Sequence, residues 1–241
     1  MVTKSLINQI QHLKQKKFRQ KKGLFVAEGE KLIGELLEAN FKNVKLFSTE
    51  NCTVFPADFI TKIEMQKLTH FKNASNYLGV FNKPQYVFDQ NKISNSILAL
   101  DGISDPGNLG TIIRTCDWYG IKDIVCSKDT VDCFNSKVVQ SSMGSISRVK
   151  CHYVDLIALI KKSKMNVYGT SLLGKSIYDL NLKKESIFVF GNESSGISSK
   201  VYELIDNSIT IPKNKNNLLI DSLNVASSVS IILGERFRQI K

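Results

Sequence analysis

The sequence predicts an α/β protein in which a small mixed α/β unit precedes a larger unit built on a parallel sheet. Two patterns carry this expectation. From Ser96 to the end, short apolar runs of strand character alternate with stretches of helical periodicity, the sequence form of a parallel sheet with crossover helices. Before Phe81 strands and helices also alternate, but in shorter pieces. At 241 residues, 42% hydrophobic and 23% charged, the chain can bury a core in one large domain or two ordinary ones.

In the first unit, residues 5–16 read as one helix, because Leu6, Ile7, Ile10 and Leu13 recur at helical spacing. A short strand at 25–27, a helix at 30–39 ending near Asn40, and strands at 44–47 and 77–81 follow. Residues 83–95, which contain Pro84 and several Asn and Lys, read as a linker between a domain at 1–82 and one at 96–241. The second domain is expected to place strands at 97–100, 123–126, 166–169, 187–190 and 208–211. Helices are expected at 110–119, near 134–142, at 154–162, near 199–205 and at 222–236. The small residues Ala226, Ser227, Ser228 and Ser230 suit the last helix to close packing.

Charge narrows the function. Lys and Arg number 33 against 22 Asp and Glu, a net +11, and the excess is concentrated early. Lys4, Lys14, Lys16, Lys17, Arg19, Lys21 and Lys22 precede the first acid, Glu28. Such clustering is the footprint of a polyanion binder, or equally of a solvated basic helix end, and Lys14, Lys16, Lys17 and Arg19 are the expected contacts if the polyanion is RNA. An anionic membrane surface fits less well, since Gln9, Gln11, Gln15 and Gln20 interrupt any broad apolar face. No apolar run is long enough to span a bilayer and no signal-peptide core follows Met1, so a cytoplasmic protein is expected. The cysteines Cys52, Cys116, Cys126, Cys133 and Cys151 form no CxxC pair or zinc spacing, and His12, His70 and His152 show no metal pattern. Idle thiols in a reducing compartment, and no metal, are the reading.

Three polar, Gly-bearing segments each follow a strand-like run, where ligands of open parallel sheets sit. The first is Asn108-Leu109-Gly110-Thr111-Ile112-Ile113-Arg114. Here Asn108 is expected to cap the helix starting near Gly110, and Arg114 brings a permanently charged fork suited to phosphate or carboxylate. The second, Phe190-Gly191-Asn192-Glu193-Ser194-Ser195-Gly196, sets a carboxylate between glycines that permit close backbone approach. It has neither dinucleotide-binding GxGxxG spacing nor P-loop spacing, so any nucleotide-like cofactor must be held differently. The third, Ile211-Pro212 followed by Ser222-Leu223-Asn224-Val225, places a hydroxyl and an amide at the start of the last helix.

Together and in this order the three segments resemble the motifs of the SpoU (TrmH-like) family of RNA ribose 2′-O-methyltransferases, of the SPOUT superfamily. The stretch Lys22-Gly23-Leu24-Phe25-Val26-Ala27-Glu28-Gly29-Glu30-Lys31 is similar to the start of the small substrate-binding domain of many members. The resemblance implies a C-terminal domain with a trefoil knot that binds S-adenosylmethionine, an L30e-like N-terminal domain that helps select RNA, and a homodimer. It also implies roles for single residues. Arg114 corresponds to the group acting on the ribose 2′-hydroxyl, and Asn108, Glu193, Ser222 and Asn224 to the polar residues shaping that site. Gly191, Gly196, Ile211 and Leu223 correspond to the cofactor's surroundings, with Thr170 at a further strand end. Since an Arg is effectively always protonated, Arg114 is expected to stabilise alkoxide charge or orient a phosphate. The stretch 213–221 departs from the family, being longer than usual and lacking Gly. Ribosomal RNA is the expected substrate, with transfer RNA, a non-catalytic RNA-binding role and an enzyme of phosphorylated metabolites as the alternatives.

Overall fold

A computed structural model describes residues 2–51, 54–89, 96–214 and 222–240. It divides into two compact units, Met1–Gln85 with Asp132–Arg148, and Tyr86–Val131 with Val149–Lys241. Chain order alone would put 132–148 with the second unit, but its burial partners put it with the first.

The first unit contains α1 (Lys4–His12), α2 (Lys16–Lys22), β1 (Leu24–Glu28), α3 (Glu30–Glu38), β2 (Asn43–Ser48), β3 (Asp58–Phe59), α4 (Lys62–Leu68) and β4 (Tyr77–Asn82). Its sheet runs β1-β4-β2-β3, with β4 antiparallel to β1 and β2. Ile10, Leu13, Val26, Phe47, Ile60, Met65, Leu68, Leu78 and Val80 form one buried cluster.

The helix expected at 5–16 ends at His12, and a second, unexpected helix begins at Lys16. The backbone turns at 13–15 because the carbonyls of Leu13 and Lys14 accept from one guanidinium nitrogen of Arg19, both at 2.8 Å. The expectation that Arg19 contacts RNA is corrected by the same observation. Its side chain is 2% exposed and paired with Asp132 at 2.8 Å, which is itself buried. Breaking such a pair leaves an uncompensated buried charge at a cost of about 3–5 kcal/mol. The pair and the contact of Phe25 with Phe134, ring centroids 4.7 Å apart, hold segment 132–148 in this unit. That segment carries α6 (Ser136–Ser141).

The second unit contains β5 (Ile97–Asp101), α5 (Pro106–Trp118), β6 (Asp123–Cys126), β7 (Lys150–Tyr153), α7 (Leu156–Lys162), β8 (Asn166–Ser176), β9 (Ser186–Gly191), α8 (Ser199–Tyr202), β10 (Asn207–Thr210) and α9 (Val225–Ile240). The sheet order is β10-β8-β9-β5-β6-β7, and every pairing is parallel. The central strands β5 and β9 are buried along their whole length, as expected of a sheet covered on both faces. Helix α5 starts at Pro106 rather than Gly110, because Asp105 is the cap and accepts from the Asn108 amide at 2.8 Å. Asn108 is therefore inside the first turn, with its side chain released for other bonds. Beyond Gly169, β8 makes an excursion before rejoining β10, whose Ser208 and Ile209 pair with Gly169 and Lys175. The sequence reading has no strand at 150–153, 58–59 or helix at 62–68. For the last, the Thr61-x-x-Glu64 capping box is the signal, and both its bonds are made.

Cys116, Cys126, Cys133 and Cys151 are buried, and Cys52 lies outside the described residues. No helix among the described residues is long and apolar enough to cross a membrane.

His70 gives the first unit a pH signature. Its ring Nε2 lies 2.9 Å from the Ile10 carbonyl and its Nδ1 meets the Ser136 hydroxyl, a pattern that suits the neutral ring. Burial first, then the positive charge of Lys14 and Arg19, lower its pKa from the ordinary 6.5 to about 4, against the pull of the Ile10 carbonyl. Between those values the unfolded chain binds a proton that the folded chain refuses, so stability falls as pH drops from 6.5 to about 4. Denaturant unfolding followed across this window should show a shallower acid loss in His70→Gln than in the parent. Glu28, whose pKa burial raises, contributes with the opposite sign in both proteins and cancels in the comparison.

Candidate active site

The strand order creates the crevice. Strand β5 leads outward to β6 and β7, whereas β9 leads the other way, past β8 to β10. The C-terminal ends of β5 and β9 therefore flank a topological switch point, where ligands of open α/β sheets bind.

Glu193, two residues beyond β9, spans this point. Its Oε2 accepts from the backbone N–H and hydroxyl of Ser104 at 3.3 and 3.2 Å. Its Oε1 accepts from the Asp105 N–H at 3.3 Å and from Asn108 Nδ2 at 2.9 Å. Asn224 in turn donates its Nδ2 to Asn108 Oδ1 at 2.8 Å. One chain of bonds thus runs from the β9 loop through the start of α5 to the start of α9, joining all three sequence segments.

Each loop is fixed from behind. Asn192 pairs with Gly196 through two backbone bonds of 2.9 Å, and its side chain accepts from the N–H groups of Ser194 and Ser195. Its Nδ2 donates to the Gly102 carbonyl at 2.7 Å, and Asp101 accepts from the Ser198 N–H at 2.8 Å. Gly196 has φ of 70°, and a Cβ on Gly191 would lie 2.1 Å from the Gly196 backbone, so this turn closes only on glycines. Asn224 caps α9, accepting from the N–H groups of Ala226 and Ser227 at 2.9 and 3.3 Å.

For Glu193, partial burial pushes the carboxyl pKa up, but the bonds from Asn108, Ser104 and Asp105 outweigh it and hold the pKa below the ordinary range. The carboxylate is ionised at neutral pH and its oxygens are engaged, which makes it a poor proton acceptor and a good clamp.

The remaining predicted residues divide into two groups. Thr170, expected at a strand end, instead lies within β8 just past its pairing with β9 and donates to the Val189 carbonyl at 3.2 Å, whereas Gly191 ends β9 and Ile211 follows β10. Ile211 is half-buried and Leu223 50% exposed. The side chains of Arg114 and Ser222 are exposed and hydrogen-bond to no described residue. Six residues beyond Asn108, Arg114 points about 120° away from it around the helix. It shares the outer face of α5 with Trp118, which is 84% exposed. Sequence reasoning missed Ser104, Asp105, Asn192 and Asp101. Asp105-Pro106 is a helix-start signal that could have found the second, but nothing local announces the others. Residues 215–221 lie outside the described residues, and with them most of the unusual 213–221 stretch. Among the described residues no group of three His, Cys, Asp or Glu could hold a metal ion.

Comparison with known proteins places the chain in a family. Residues 95–234 match the SpoU rRNA Methylase family, and residues 4–77 match the MRM3-like substrate binding domain. The chain is 31% identical over 229 residues to the 23S rRNA (guanosine(2553)-2′-O)-methyltransferase RlmP of Bacillus subtilis, covering 90% of each. Among solved structures, a TrmH-family protein from Porphyromonas gingivalis superposes with a TM-score of 0.87 at 30% identity, covering 99% of each chain. An AdoMet-bound rRNA methyltransferase from Sinorhizobium meliloti gives 0.87 at 26% identity, over 100% of this chain and 97% of that one.

Asn224 both caps a helix and holds Asn108, and substitution separates the two. Asn224→Ala should cost about 1 kcal/mol of stability, the usual worth of a cap. Asn224→Asp should restore stability in thermal unfolding, since Asp caps as well, while leaving Asn108 without its donor. If Asp fails to restore stability, the bond to Asn108 rather than the cap carries it.

Proposed function

The chain belongs to the SpoU rRNA methylase family, and we propose that it transfers a methyl group from S-adenosylmethionine to a ribose 2′-hydroxyl of ribosomal RNA. The observation that carries this reading is the bond chain Asn224–Asn108–Glu193 across the switch-point crevice. The named activity of the Bacillus subtilis relative makes a guanosine of 23S rRNA the first substrate to test.

S-adenosylmethionine brings its methyl already activated on the sulfonium, so the protein supplies orientation and electrostatics. Thr170, Gly191, Gly196, Ile211 and Leu223 are proposed to hold it. Leu223, half exposed just before α9, offers apolar surface that an adenosyl group would cover. The trefoil knot is proposed on family grounds. Glu193, Asn108 and Asn224 act as positioning residues, because their polar atoms are engaged with one another. Arg114 and Ser222, exposed and with no side-chain hydrogen bond to a described residue, are the groups assigned to meet RNA. Arg114 is assigned to the developing alkoxide or an adjacent phosphate. Lys14, Lys16 and Lys17, all exposed, remain the proposed phosphate contacts of the first unit, without Arg19. A cytoplasmic location accords with these substrates.

A homodimer is proposed on different grounds from the small residues of α9. Ser230 of that helix is engaged within the chain, 3.2 Å from the Thr115 hydroxyl of α5. The outer face of α5 instead exposes Trp118, the sole tryptophan. Light scattering should give about twice the chain mass of 27.1 kDa, and Trp118→Glu should give the monomer. A monomeric parent protein would refute this assembly.

The acceptor atom is tested by a target RNA with a single 2′-deoxy nucleotide, which should bind but accept no methyl group, since phosphates supply most of the affinity. Arg114→Ala should bind both ligands and lose a factor of about 10²–10³ in turnover, as when one transition-state donor is removed. Methylation of the deoxy RNA would make a base the acceptor. Loss of S-adenosylmethionine binding alone in Arg114→Ala would make Arg114 a cofactor contact.

A further inference from the structure

We infer that the α1–α2 turn of the first unit is a stacking platform for an unpaired nucleobase, with His12 as its outer layer; this rests on the reading that the protein binds RNA. His12, in the last turn of α1, stacks on Phe18 of α2 with ring centroids 4.6 Å apart and planes 12° from parallel. The Lys17 ammonium also lies over the Phe18 ring, 5.0 Å from its centroid. Phe18 is half-buried and His12 exposed, so the stack ends in solvent on an imidazole. Neither ring belongs to the buried cluster around Ile10 and Leu13. The turn that sets their spacing is held by buried Arg19 through the Leu13 and Lys14 carbonyls, so the platform is built before any ligand arrives.

The surroundings select the occupant. Lys14, Lys16, Lys17, Lys21 and Lys22 are exposed around the turn, and no acidic residue occurs in the first 27. Flat aromatic surface beside phosphate-binding charge is the arrangement by which single-stranded RNA is held, since every base has a face to stack. Bases inside a duplex are already stacked and cannot use it. The platform therefore recognises an unpaired nucleotide flanking the target.

The test uses the full chain and fluorescence anisotropy of a labelled single-stranded RNA of roughly twelve nucleotides, alone and annealed to its complement. His12→Ala should weaken single-strand binding about tenfold while changing duplex binding little, and His12→Trp should restore it. The salt slope should be unchanged in His12→Ala, whereas Lys21→Ala should reduce the single-strand slope by about 0.7. Unaltered S-adenosylmethionine affinity and thermal midpoint in His12→Ala would locate the loss at the platform. Equal losses on both RNAs, no loss on either, or failure of His12→Trp to restore binding would overturn the platform. If the lysine variant weakens binding and His12→Ala does not, RNA binding stands and only the platform falls. If the parent chain binds neither RNA at low salt, the RNA reading itself fails.

Discussion

The Glu193 carboxylate is the constraint on which the candidate site depends. Three loops leave the sheet from two different strands and from the start of the last helix, and nothing in a loop's own backbone holds it against the others. Glu193 accepts from Ser104, Asp105 and Asn108, and Asn108 passes the restraint to Asn224. A charged acceptor suits this role, because its bonds are roughly twice as strong as those between neutral groups. The same bonds lower its pKa, so the clamp remains ionised where the protein works.

The clamp has its leverage because of the sheet beneath it. Six parallel strands, with the central pair buried on both faces, leave few places for polar chemistry except the strand ends. Strand order then singles out one crevice, between β5 and β9. The glycine turn 191–196, tied back by Asn192 to Gly102, brings the carboxylate over that gap. Packing decides where the site is, and a few polar side chains decide its shape.

The strands of the second unit were largely legible, because buried parallel strands write themselves as apolar runs. The expected bounds of Asp123–Cys126 are those observed, and those of β9 agree to within a residue at each end. Helix ends were less legible. The expected start of α5 is four residues late because Asn108 and Asp105 are both good caps, and only the structure shows which one accepts the N–H. The strand Lys150–Tyr153 is not legible because its buried His152 is polar, made compatible with burial by a 2.8 Å bond to Asp123, 29 residues away and in no local pattern. The principal site residues were read from the resemblance, and their mutual bonding could not be. Asn108 and Asn224 are separated by 116 positions, and contact across that separation is a property of the fold.

Arg19 shows the same limit for charge. Counted with its neighbours it is one more cation in a basic segment. In the structure its guanidinium is enclosed by Asp132 and two carbonyls, and shapes the turn that displays Lys14 and sets His12 against Phe18. The distinction follows from the side chains themselves. A planar fork can satisfy several acceptors at once and so tolerates burial, whereas the strongly hydrated lysine ammonium stays in water. The lysines of this segment accordingly supply long-range attraction to a polyanion, which depends on salt and ignores sequence. Discrimination must come from elements of fixed geometry, and in this protein those are organised by buried or saturated ion contacts: Arg19 in the first unit and Glu193 in the second.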